Sequence, residues 1–157
     1  MYHILEEICH NYIAQAAFWG WFSAQAIKFL WQLVRYRTLR FERLVGSGGF
    51  PSSHTSFVIS TTAALYFKNN GITDTFVVAL VFSIVVMYDA SGVRRQAQIL
   101  NQIVEYFSKR NIPVILKDRE IALKELLGHT PVEVFGGLVL GILIAYIQYF
   151  YVYNGVI

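Results

Sequence analysis

Four short strings in the sequence carry side chains able to act on an anion. The first is Gly48-Gly49-Phe50-Pro51-Ser52-Ser53-His54. Glycines ahead of a helix start let the backbone approach a ligand closely. The unpaired N–H groups and positive end of the helix then favour negative charge. His54, in the first turn, is placed to protonate a leaving oxygen; the plainer alternative is a capped helix start with an interfacial histidine. The second string holds His129 and, four residues on, Glu133. On a helix the two share a face, so the carboxylate can fix the tautomer of an imidazole whose other nitrogen attacks. The alternative is an acidic residue answering the helix dipole. Third, Arg94 and Arg95 offer planar forks to phosphate oxygens, or else snorkel to a membrane surface. Fourth, Lys28 and Arg35 are two helical turns apart and share a face. An ammonium within an apolar stretch needs a partner, a wet cavity or a route to the interface. Asp89 could orient an arginine or simply be solvated. His54, Asp89, His129 and Glu133 lack recognised metal-ligand spacing, so neither metal nor cofactor is expected.

The elements that must position these residues are apolar. Of 157 residues, 55% are hydrophobic and 15% charged, and the mean hydropathy is +0.46. Soluble domains carry about 25% charged residues, so the surplus apolar surface points to lipid. Spans are expected over about 12–34, from Pro51 to about Phe67 with the N-cap types Ser52 and Ser53 beside it, over about 73–88, and over about 131–153. Pro51 suits a first helical position, and Gly71 suits a helix stop. The stretch from Ile99 to Phe107 has apolar residues at helical spacing and reads as an amphipathic helix at the interface. Asn111-Ile112-Pro113 breaks it, and a short amphipathic turn follows over Ile121 to Leu127. The fold class is therefore all-α, an integral membrane helical bundle of about four spans plus an interfacial amphipathic helix, in a single domain over 1–157. No cleavable signal peptide is expected: Glu6 and Glu7 stand where a positive region would. With Cys9 the only cysteine, no internal disulfide forms.

Four crossings impose an alternation. The loop from Arg35 to Gly49 and the segment from Asp89 to Thr130 share one face; the link near Asn69 and both termini share the other. Arg35, Arg37, Arg40, Arg43, Arg94, Arg95, Lys109, Arg110, Lys117, Arg119 and Lys124 all fall on the first face, and Lys68 alone on the second. Lys/Arg excess marks the cytoplasmic side, so this multi-pass protein should carry its active face in the cytoplasm. The net charge of +3 is first a topology signal; the basic residues flank apolar spans, and no nucleic-acid partner is expected. The strings at His54, Asp89 and His129 all converge on the first face.

Together these residues resemble the phosphatidic acid phosphatase type 2 and vanadium haloperoxidase superfamily. Its motifs are Lys-x6-Arg-Pro, Pro-Ser-Gly-His and Ser-Arg-x5-His-x3-Asp. Lys28 to Arg35 has the first spacing, with Tyr36 for proline. Pro51-Ser52-Ser53-His54 matches the second, with Ser53 for glycine. His129 to Glu133 matches the end of the third, with Glu for Asp. Leu123 stands at the arginine position, and Ser91 with Arg94 or Arg95 would supply that function from before an insertion. The strings Asp-Ala-Ser-Gly-Val-Arg-Arg and Leu-Gly-His-Thr-Pro-Val-Glu-Val look more specifically like the divergent subgroup of that superfamily, over about residues 20–145.

The resemblance implies a metal-independent membrane phosphatase acting on a lipid phosphate monoester through a phosphohistidine. His129 would attack phosphorus, Glu133 would orient it and His54 would protonate the leaving alcohol. Lys28, Arg35, Arg94 or Arg95, and the backbone at Ser52 and Ser53 would bind the phosphoryl oxygens. The implied partners are a phosphorylated lipid and the bilayer. Four spans make a thin bundle, for which a homodimer is a natural completion. The rival expectations are a non-catalytic membrane protein that binds phosphorylated lipid headgroups, and a carrier built around Lys28.

Overall fold

The structure is a computed structural model that describes residues 2–36, 49–108 and 129–153. Arg37 to Gly48 and Lys109 to Gly128 lie outside the described residues, with the basic loop, the break at Pro113 and the short turn expected there. Every regular element among the described residues is helical: α1 (Tyr2–His10), α2 (Tyr12–Tyr36), α3 (Ser53–Asn69), α4 (Asp74–Ser108) and α5 (Pro131–Gln148), the last running on into a π-helical turn at Tyr149–Tyr153.

The helices begin and end where local chemistry dictates. Ser52 is extended and caps α3, its side chain accepting from the Thr55 N–H. Pro51 thus stands before the cap, two positions ahead of Ser53, the first helical residue. At the other end Asn70, rather than Gly71, takes the left-handed turn, with φ 50°. Thr130 caps α5 in a complete capping box with Glu133, and Pro131 follows it.

The main difference from the sequence expectation is α4. The third apolar stretch and the amphipathic segment form one unbroken helix of 35 residues, about 52 Å long. That exceeds a hydrocarbon core of about 30 Å. The polar string from Asp89 does not end it, because one interior glycine costs only about 1 kcal/mol against alanine.

α3 is the central helix, packing against α2, α4 and α5. Its length of 17 residues is matched by small side chains at each contact. Ser56 Oγ donates to the Gly20 carbonyl at 2.8 Å. Thr62 and Ser83 hydroxyls meet at 2.8 Å. A Cβ on Gly141 would sit 2.9 Å from the Ser56 carbonyl oxygen, so α3 and α5 approach backbone to backbone. Small residues and hydroxyls at helix contacts are what packing in lipid selects, because apolar bulk brings no advantage there. Two segments, Asp74–Ser91 and Pro131–Tyr153, are long and apolar enough to cross a membrane, yet only 6% and 17% of them is buried. Val78, Phe82, Tyr88 and Phe135 point outward. Helices apolar on their exposed faces belong in a bilayer, and the fold is an all-α integral membrane bundle.

Candidate functional site

One end of the bundle sets the starts of α3 and α5 against the flanks of α2 and α4. α3 starts there at Ser53 and α5 at Pro131, while Lys28 of α2 and Ala90 of α4 arrive from the sides. Two backbone bonds lock the junction. The Ser52 N–H donates to the Glu133 carbonyl at 2.9 Å, and the His129 N–H donates to the Ala90 carbonyl at 2.8 Å. The first ties the cap of α3 to α5; the second ties the residue ahead of α5 to α4. Neither bond involves a side chain, so neither had a signature in the sequence.

His54 and His129 face each other, ring centroids 5.8 Å apart in an edge-to-face arrangement. His54 is exposed, whereas His129 retains only 2% of its surface. His129 Nδ1 lies 3.3 Å from Glu133 Oε2. The same oxygen accepts from the Thr130 N–H at 2.9 Å. Glu133 therefore both faces the imidazole and serves as the reciprocal partner in the cap of α5. His129 Nε2 is buried with no hydrogen-bond partner among the described residues. Burial, then the Lys28 charge, hold the His129 imidazole below its ordinary pKa; the Glu133 hydrogen bond and charge act in the opposite sense, and His54 adds to the lowering. The neutral ring is favoured.

Lys28 reaches the same junction, its Nζ donating to Ser53 Oγ at 3.2 Å. Ser52 serves the fold: its hydroxyl accepts from the Thr55 hydroxyl as well as the Thr55 N–H, and its own N–H is taken by Glu133. The first-turn N–H groups of Ser53 and His54 have no intrahelical partner. Arg35, Arg94 and Arg95 lie on α2 and α4, but their side chains fall outside the described set. The Ala90 bond nonetheless brings the Asp89 string to His129. Asp89 is exposed. Among the described residues no cluster of three or more His, Cys, Asp or Glu could hold a metal.

The sequence model of the Divergent PAP2 family matches residues 9–144. The chain is also 34% identical, over 82% of its own length and 88% of the relative's, to the uncharacterized membrane protein YuiD of Bacillus subtilis. No solved structure matches.

Proposed function

The chain belongs to the Divergent PAP2 family, and from that membership and the apposition of His54 with His129 we propose a metal-independent membrane phosphatase that hydrolyses a lipid phosphate monoester. The observation that carries the reading is His129 Nε2, a buried nitrogen with no hydrogen-bond partner among the described residues. An orphaned buried acceptor costs about 1–3 kcal/mol, and such atoms persist where a ligand or reaction uses them. The opposite ring nitrogen faces Glu133, so the proton sits on Nδ1 and the Nε2 lone pair is free.

The chemistry follows in two steps. Nε2 of His129 attacks phosphorus, the bond from phosphorus to the lipid oxygen breaks, and that oxygen takes a proton from His54. A phosphohistidine remains. Water then attacks phosphorus, gives its proton to His54, and phosphate leaves with His129 restored. Lys28 and the N–H groups of Ser53 and His54 supply positive charge around the phosphoryl oxygens; Arg35 and Arg94 or Arg95 are assigned to the same task by their place in the motifs. The apolar exterior keeps the tail of such a substrate in the bilayer beside the site.

The experiment is phosphate release from phosphatidate vesicles by purified protein, with His129→Ala beside wild type. Release by wild type alone, with an acid-labile phosphoprotein trapped on brief exposure, supports the reading; equal inactivity of both across a panel of lipid phosphates overturns it. Tyr36 and Leu123, standing where the superfamily motifs have proline and arginine, favour a second reading, headgroup binding without turnover. That reading expects phosphatidate to bind wild type tightly and remain intact.

The bundle is proposed to be multi-pass with this site in the cytoplasm. Tyr12 donates to the Ala145 carbonyl at the end opposite His129, which puts Cys9 on the far side. Cys9 is free and exposed. A membrane-impermeant maleimide should label it in intact cells; labelling only after lysis reverses the orientation.

A further inference from the structure

Lys28 has a conformational problem that its neighbours solve. A lysine ends in a compact, strongly hydrated ammonium on four rotatable carbons, and burying such a charge demands a partner. Among the described residues the ammonium makes one hydrogen bond, to Ser53 Oγ, and no ion pair. Its stem is held as well. Gly49 has φ +101°, and the position its Cβ would occupy lies 3.8–3.9 Å from Cγ, Cδ and Cε of Lys28. Gly49 backbone thus flanks the methylenes while Ser53 takes the head group. Ser53 is 5% exposed and stands at the first helical position of α3, where the superfamily motif has glycine, a residue with no hydroxyl to offer.

We infer that Ser53 is a positioning residue, whose hydroxyl holds the Lys28 ammonium beside His129 before any anion arrives. The idea rests on the phosphatase reading only in naming the anion as phosphate. The groups that set the charge around His129 are Lys28 from α2, His54 from α3, Glu133 from α5, and the exposed Asp89 at the level of Ala90 in α4. Of these, Lys28 has its ammonium directed by one hydrogen bond among the described residues, that to Ser53 Oγ. Fixed there, it opposes protonation of His129 and waits as a preformed contact for a phosphoryl oxygen, so the cost of ordering a long side chain is met before binding.

The test uses the full-length protein in nanodiscs and needs no turnover. Histidine NMR titration gives the His129 pKa, and calorimetry with inorganic phosphate or vanadate gives the affinity. In Ser53→Ala the ammonium is released. The His129 pKa should rise toward the ordinary imidazole value, and anion affinity should fall about tenfold, as for loss of one hydrogen bond to a charged group. Ser53→Thr should restore both. On a Lys28→Met background, Ser53→Ala should change neither. A Ser53→Ala variant with weakened anion binding but an unmoved His129 pKa would mean that the hydroxyl contacts the anion directly, and it overturns the proposal. So would equal effects of Ser53→Ala with and without Lys28. If wild type bound no phosphate or vanadate, the phosphatase reading would suffer while the titration still decided the role of Ser53.

Discussion

Glu133→Gln separates the two tasks that one carboxylate performs. The glutamine carbonyl can keep the Thr130 N–H contact, which is 2.9 Å long to Oε2 in the glutamate, and can still accept from Nδ1. What disappears is the negative charge 3.3 Å from the imidazole. On the proposed mechanism the ring becomes cationic as Nε2 bonds to phosphorus, so the charge acts most strongly in the transition state. Full charges at that distance in an effective dielectric of about 20 interact by about 5 kcal/mol. The transition state carries only part of the charge, and Glu133 is 20% exposed, which reduces the loss to about 2–3 kcal/mol. Phosphate release should fall about 30–150-fold, with little change in melting temperature. Glu133→Ala removes the capping contact too and should cost a further ~1 kcal/mol of stability, or about 2–4 °C. Thr130→Ala should show the opposite pattern, losing stability and keeping most of its rate. The assays are phosphate release and thermal unfolding on the same preparations. A Glu133→Gln enzyme that melts like wild type and turns over within threefold of it would refute the orienting role.

Three further outcomes follow from the geometry. In Gly137→Ala the added Cβ would fall 2.5 Å from the Ser52 carbonyl oxygen and 2.9 Å from Thr55 Cβ; neither can yield, so unfolding should show a loss of about 1–3 kcal/mol, while Gly136→Ala meets only the exposed Phe50 ring and should cost less. Burial, then Lys28, hold the His129 pKa down, so the unfolded chain binds more protons just below the free imidazole value of about 6.5; stability should be full above that value and decline as pH falls through the folded pKa, the kinetic acid limb should lie below 6.5, and Lys28→Met should move it up. His54→Ala should lower turnover about 10²–10⁴-fold with phosphate affinity changed less than threefold, and unchanged turnover would remove His54 from the proton path.

The helix starts were legible because capping chemistry is local. Pro51-Ser52-Ser53 and Thr130-Pro131-Val132-Glu133 announce themselves within four residues, and the alternation expected of the apolar segments puts His54 and His129 at one edge, where their rings do meet. The length of α4 was not legible. A polar string after an apolar one resembles a loop when only lipid contact is considered, yet a helix persists into water wherever nothing breaks it. The centrality of α3 was written in Ser53, Ser56, Ser60 and Ala64, which lie on its packed faces, but short polar residues also suit an exposed turn. Ser52 reads naturally as an anion ligand; its N–H is spent on a carbonyl 81 positions away, and backbone pairing at that range leaves no trace in side-chain spacing. The substitution of serine for glycine at position 53 looked like erosion of a motif, and its meaning depends on where Lys28 ends up.

The way the site is held explains why the tight packing lies where it does. His129 precedes its helix, so it is not fixed by α5 alone; its position follows from the Ala90 carbonyl on one side and the Glu133 carboxylate on the other. His54 belongs to α3, and α3 meets α5 through Gly137 against Ser52 and Gly141 against Ser56 and Ile59. The His54–His129 separation is therefore set by how closely two backbones approach. A bulkier contact would move the imidazoles apart, since His54 is in the first turn of α3 and only Thr130 separates His129 from α5. Reactions that require a proton and a lone pair on opposite sides of one phosphorus tolerate errors of about 1 Å poorly. On the phosphatase reading, glycine and serine at the α3–α5 contact bear on chemistry as much as on stability, and a variant there should lose turnover at temperatures where it is still folded.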